Sequence, residues 1–229
     1  MISMNDENLE GTPGLAIDDD PAVPGLSLRP ERAEERRPVE ELTREAFWNR
    51  YAPGCTEHFI LHRLREAPGF RPWHSIVAEY DGSAVGHALL SPADILLDAG
   101  GALPVLTLGP LSVLPACARR GVGAALMRAA IQVAREQGET ALLLTGDPAY
   151  YGRFGFLPAS AFGVRMGALP ASGGAPYFMA LPLFDGALAG KAGRYRASPL
   201  FEEAEGETFS AYDRTFPPRR KLKLPGQLR

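Results

Sequence analysis

Between two apolar runs, LPVLTLGPLSV and TALLLTG, stands ARRGVGAALMRAAIQVAREQG (Ala118–Gly138), whose spacing predicts a helix that has to lie on a sheet. Val122, Leu126, Ala129, Ala130 and Val133 share one side, Arg128, Gln132, Arg135 and Glu136 the other, and Gly138 supplies the stop. Such a stripe is stable only when a second layer covers it, and the flanking runs read as that layer. The rest of the chain fits the same scheme. LSLRPE alternates as a strand, RPVEELTREAFW reads as a helix with Pro38 in its first turn, and CTEHFILHRLREA reads as another. In SIVAEYDGSAVGHALLSPADIL, Asp81-Gly82 between apolar runs is a hairpin signal. After the central helix come TALLLTG as a strand, DPAYYGRFG as a short helix, then FLPASAFGV and YFMALPLF as strands. The order β-α-α-β-β-β-α-β-α-β-β is mixed α/β.

Composition narrows the function classes. A chain of 229 residues with 45% hydrophobic and 22% charged residues builds one domain with appendages. No window holds about 18 uninterrupted apolar residues, and the first residues carry acids where a secretory signal carries bases, so the expected compartment is the cytoplasm, away from membranes. Cys55 and Cys117 fit no metal spacing and read as free thiols. A net charge of −3 gives no electrostatic case for nucleic acid as partner. Charge is uneven, however: before Arg29 there are six acids and no base, and after Asp213 six bases and no acid. The expected division is an acidic, flexible tail over 1–25, a folded domain over 26–205 and a basic tail over 206–229.

The entrance to the central helix is the first chemical signal. First-turn N–H groups lack intrahelical partners and carry the positive end of the helix dipole, which favours an anion. Gly121 and Gly123 would let a phosphate reach those amides without meeting a Cβ, while Arg119 and Arg120 add charge. The plain alternative makes Gly121 a turn residue and Gly123 a packing residue against the sheet. A Walker loop is excluded, since no Lys-Ser/Thr pair follows the glycines, and Leu126 stands where a dinucleotide fingerprint needs its third glycine. In the preceding strand Gly109-Pro110 marks a bulge or an edge, which would free the amides from Leu111 to Val113 for an extended ligand; an ordinary kink is the alternative.

Together LGPLSVLP, RRGVGAALM, ALLLTG and DPAYYGRFGF resemble the acetyl-CoA-binding core of the GCN5-related N-acetyltransferases (GNAT superfamily). With VGHALLSP and FMALPLFDGALAG they resemble its YhbS-like branch of predicted acetyltransferases. The likeness spans about residues 26–200. It implies a GNAT fold, a mixed central sheet of about six to seven strands flanked by helices and bulged at the acetyl-CoA site. The superfamily's cofactor loop has the form Q/R-x-x-G-x-G/A; Gly121 and Gly123 match, but Ala118 replaces the Gln or Arg. Carried over, the resemblance assigns acetyl-CoA to Leu111, Ser112, Val113, Arg119, Arg120, Gly121, Val122, Gly123 and Ala124, with pantetheine between two diverging parallel strands. The Val113 or Leu111 amide would face the thioester carbonyl.

The implied reaction is direct transfer of the acetyl group to a primary amine. Within the superfamily pattern Y-x-x-x-G-F, Tyr151 aligns with the tyrosine that protonates the departing sulfur, and Tyr150 is one residue out of phase; a packed junction tyrosine is the alternative. His87 is the candidate base, with a core histidine as the alternative. Acceptor walls fall over 37–73 and 161–185, with Trp73, Glu57 and Arg165 as candidate liners. His58 and His62 stand four apart without a third ligand, so no metal is assigned, and nothing near Cys117 would activate it as a nucleophile. The rival is an acyl-CoA-binding module without turnover, a sensor or interaction protein. Either leaves a homodimer open.

Overall fold

The computed structural model describes residues 22–167, 175–201 and 206–227; most of the acidic N-terminal stretch lies outside them. In chain order the elements are β1 (Leu26–Pro30), α1 (Arg36–Phe47), α2 (Glu57–Leu64), β2 (Ser75–Tyr80), β3 (Ser83–Leu97), β4 (Ala102–Val113), α3 (Val122–Glu136), β5 (Ala141–Thr145), α4 (Pro148–Tyr151), β6 (Leu157–Pro158), β7 (Val164–Met166), β8 (Phe178–Pro182), β9 (Gly193–Arg196) and α5 (Gly206–Asp213). The strands run β1-β2-β3-β4-β5-β8-β6, with β9 beside the far half of β3 and β7 beside β9. The sheet is therefore wider than the sequence suggests, because GRYR, too short and too charged to read as a strand, adds β9 at Asp94–Leu97.

The Asp81-Gly82 turn closes β2 on β3 with Tyr80 opposite Ser83, both turn residues having positive φ as such a tight hairpin requires. The β4–β5 pair is parallel, joined by the crossover through α3, and packs α3 on one face of the sheet. Leu126, Met127 and Ala130 of α3 are buried there with Leu90, Leu142, Leu144 and Phe156. The opposite face is covered in two parts. Val39, Leu61 and Leu64 of α1 and α2 lie on Val77 and Leu89, while Ile95, Val105, Leu143 and Phe178 form a separate cluster closer to β7 and β9.

The C-terminal segment departs from the expected basic tail. Residues 206–213 form α5, and Phe209 and Tyr212 lie against Phe59, with ring centroids 5.7 and 5.2 Å away. Phe216 is buried and Arg37 stacks on it at 3.4 Å. The described part of this segment is docked on α1 and α2. The sequence signal is the aromatic spacing 209, 212, 216, which the run of basic residues masks.

Among the described residues, no helix is long and apolar enough to cross a membrane.

Candidate active site

Along β4 and β5 only Leu106↔Leu142 and Thr107↔Leu143 are paired, so the strands diverge beyond Thr107. The bulge starts there too. Ala88 lies opposite Leu111 but Leu90 opposite Leu108, so Leu89 faces both residues of Gly109-Pro110. The Leu114 amide donates to the Val85 carbonyl on β3 at 2.9 Å, and strand alternation turns the Val113 and Leu111 amides the other way, into the gap beside β5. Ser112 differs from its neighbours. Its side chain is buried under α1 with Thr43 Oγ1 at 3.1 Å, and its amide points to β3, so of the three strand residues expected at the cofactor it does not face the gap.

Across the gap the loop after β4 delivers α3. Gly121 precedes the helix with φ 89°, a left-handed geometry that glycine adopts without strain, and no side chain caps the helix. The Ala124 and Ala125 amides both donate to the Gly121 carbonyl at 2.9 Å. Ala124 thus offers no amide outward, and Val122 and Gly123 are the donors facing the entrance. Arg119 and Arg120 are exposed beside it. A Cβ on Gly123 would sit 3.1 Å from the Tyr150 hydroxyl and 3.6 Å from both Leu111 and Val113. One small space thus touches the α3 entrance, the Leu111 and Val113 side chains beyond the β4 bulge, and Tyr150, a hydroxyl the sequence did not assign to it.

Asp147 caps α4 by accepting from the Ala149 amide at 2.9 Å, with Pro148 in the first turn, and this short helix sets the two tyrosines apart. Tyr150 goes to α3. Tyr151 goes to the end of β5, where its ring fills the space of the missing Gly146 side chain; a Cβ there would lie 2.1 Å from its Cε2. Burial pushes the Tyr151 hydroxyl up to about 12, Tyr150 and Tyr51 add to the rise, and Arg50 opposes it. Arg50 and Tyr51 come from the loop after α1. On the outer side of α3 a groove of about 630 Å³ carries Arg128, Arg135 and Arg153.

His87 is not at the gap, which corrects its expected role as base. It lies wholly buried within a polar chain. Arg65 bridges Glu31 and Glu40, Ser75 Oγ donates to Glu31 at 2.6 Å, and His87 Nε2 meets Ser75 Oγ at 2.8 Å. Since Ser75 gives its proton to the carboxylate, His87 must donate from Nε2, which leaves its Nδ1 lone pair buried without a partner. Burial holds its pKa well below the usual imidazole range. Of the other candidate liners, Arg165 is paired with Asp98 at 2.6 and 2.8 Å, Glu57 accepts from the Thr56 amide, and Trp73 packs against the α3-side core. His58 and His62 turn to different partners, Asp213 and Glu40.

Three buried histidines make a pH prediction. Burial lowers His58 and His74 to about 4 and holds His87 well below its usual value. The unfolded chain then accepts protons near pH 6.5 that the folded state refuses, so their stabilisation is full above that pH and is lost as pH falls toward 4. Each contributes a slope of up to about 1.4 kcal/mol per pH unit, which buried Glu31 and Glu57, with raised pKa values, partly offset. The melting temperature should fall between pH 7 and 5, and less steeply in His74→Phe. A flat profile in the parent protein would contradict this.

Comparison with known proteins follows the same outline. Residues 37–156 match the family model of the Acetyltransferase (GNAT) family. The chain is 36% identical over 101 residues to the uncharacterized N-acetyltransferase YjhQ of Escherichia coli, covering 44% of this chain and 55% of that protein, about half its length. To YhbS of Escherichia coli it is 29% identical over 128 residues, covering 56% of this chain and 74% of that one. The crystal structure of YhbS in complex with CoA superposes with a TM-score of 0.68 at 27% identity over 81% of this chain and 96% of that one. A GNAT family acetyltransferase from Brucella melitensis, in complex with acetyl-CoA, gives 0.61 at 29% identity over 77% and 97%. The family match over more than half of the chain, together with these relatives, shows that the chain belongs to the GNAT acetyltransferase family as a YhbS-like member.

Proposed function

We propose that this protein transfers the acetyl group of acetyl-CoA to a primary amine by direct attack. The observation that carries the reading is the convergence at Gly123: the α3 entrance, the Leu111 and Val113 side chains of the splayed strand and Tyr150 come together there. The outward amides of the α3 entrance suit a diphosphate, and the gap between β4 and β5 suits an extended pantetheine arm. The cosubstrate supplies an activated thioester. The chain's residues hold and polarise it. The Val122 and Gly123 amides and the exposed Arg119 and Arg120 bind the diphosphate, Tyr150 adds a hydroxyl, and the arginine groove along α3 suits the phosphorylated adenosine end.

Backbone of β4 facing the gap pairs with the arm, and the Val113 or Leu111 amide meets the negative charge that builds on the carbonyl oxygen as the amine adds. Tyr151 stays protonated throughout the working pH range and delivers its proton to the departing sulfur. Arg50 favours the resulting phenolate. Nothing in the gap is assigned as a base for the amine.

Acetyl-CoA should raise the melting temperature in a concentration-dependent way and by more than NAD or ATP. Thiol release should then appear with some member of a panel of amines, aminoacyl compounds and protein N-termini. Equal shifts from all three nucleotides would remove the cosubstrate; a selective shift without release across the panel would leave a binding module.

A further inference from the structure

Residues 22–25 come ahead of β1, in a stretch expected to be a tail, and the turn Val23-Pro24-Gly25-Leu26 decides where they go. Proline, then a glycine with φ 79°, fill the two central positions in the pattern of a type II turn. The Leu26 amide closes it by donating to the Val23 carbonyl at 3.1 Å. Leu26 then enters β1 opposite Tyr80 and is buried in the core beneath α3. The turn sends Val23 back over that same core, where its side chain is partly buried.

Val23 comes to rest on the loop that delivers α3. A Cβ built on Gly121 would lie 2.6 Å from Val23 Cγ2, closer than unbonded carbon atoms approach, and 4.0 Å from Val23 Cβ. Gly121 is thus held to glycine twice, by its φ of 89° and by the valine that occupies its side-chain direction. Two positions earlier Arg119 also stands in the left-handed region, with φ 61°, which a residue other than glycine keeps only where its surroundings hold it. The loop is a short, strained bridge. It runs from Cys117, whose amide donates to the Leu114 carbonyl at 2.8 Å, to the first turn of α3, whose Ala124 and Ala125 amides donate to the Gly121 carbonyl. Val23 bears on its last residue.

We infer that Val23 is a positioning residue for the cosubstrate: packed on Gly121, it holds the left-handed turn that aims the Val122 and Gly123 amides out of the α3 entrance. The inference rests on the reading of that entrance as the diphosphate cradle. One rigid peptide plane carries both the Gly121 carbonyl and the Val122 amide. A turn that rocks at Gly121 therefore tilts the outward donor and the acceptor of the first helical bonds together. Val23 lies ahead of residues 37–156, which the family model matches, so this chain braces the cosubstrate loop from outside the matched stretch.

Val23→Ala removes the methyl groups that cover Gly121 and leaves Pro24 and Gly25 to make the turn. Titration calorimetry with acetyl-CoA should then give a Kd about five- to tenfold above that of the parent. With the amine of the panel that the parent turns over, the KM for acetyl-CoA should rise by a similar factor while kcat and the acceptor KM hold. Val23→Thr keeps the shape and should bind as the parent does. A role in packing alone would show only in the melting temperature, so Leu28→Val, a smaller side chain on β1 in the same core, is the control. It should lower the melting temperature and leave the Kd for acetyl-CoA unchanged. An unchanged Kd in Val23→Ala overturns the inference, as does an equal rise in Leu28→Val, or a Val23→Thr protein as weak as Val23→Ala. A parent without affinity for acetyl-CoA removes the cradle reading beneath it, a separate outcome.

Discussion

Tyr151→Phe should lower kcat by roughly 10 to 100-fold while acetyl-CoA affinity stays near that of the parent. The ring keeps its packing at Gly146 and beside Phe156, 6.1 Å away, so only the hydroxyl is lost. General acids are worth about 10² to 10⁴-fold, and a thiolate leaves tolerably well without help, which places the effect at the low end. Tyr150→Phe is the control. Its hydroxyl lies over the α3 entrance, so its loss should raise the KM for acetyl-CoA several-fold and spare kcat. Steady-state kinetics with the acceptor from the amine panel separates the two. Equal kcat for Tyr151→Phe and the parent would reject the acid role, and a larger kcat loss at Tyr150 would exchange the assignments.

Gly123→Val should fold and yet bind acetyl-CoA on the order of 100-fold more weakly, from losing one or two charge-assisted hydrogen bonds at about 1.5–3 kcal/mol each. Gly123 has no positive φ, so the helix backbone accepts a side chain. The added side chain crowds the Tyr150 hydroxyl and the Leu111 and Val113 side chains, and displacing Tyr150 disturbs the entrance where the diphosphate is proposed to bind. Titration calorimetry, with circular dichroism to show that the helix is intact, measures the effect. Unchanged affinity in a folded protein would place the cradle elsewhere.

Periodicity alone makes α3 legible, because a helix that packs on a sheet needs one apolar face, and Asp81-Gly82 and Gly109-Pro110 announce the hairpin and the bulge by backbone chemistry. Those features act through neighbours in the chain. What the sequence conceals depends on partners far away in it. His87 reads like any strand histidine; only Ser75 and Glu31 make it a buried donor. Ser112 reads as the equal of Leu111 and Val113, but Thr43 claims its side chain. Arg65 carries no local sign that it is buried between Glu31 and Glu40. Val23 and Gly121 have no local reason to meet. Tyr150 and Tyr151 are legible as a pair, and the direction of each depends on the gap beside Gly146.

The divergence of β4 and β5 also bears on how the protein keeps in solution. Sheets normally confine unpaired backbone to their outer strands, where charge or a covering loop discourages other chains from joining. Here the gap beyond Thr107 and Leu143 opens an edge within the sheet, bordered by Leu111 and Val113. A cosubstrate that lies along β4 closes that edge with its own amide groups. The proposed ligand is then also a guard against strand addition, and purified protein stored with CoA should stay dispersed longer than protein stripped of it.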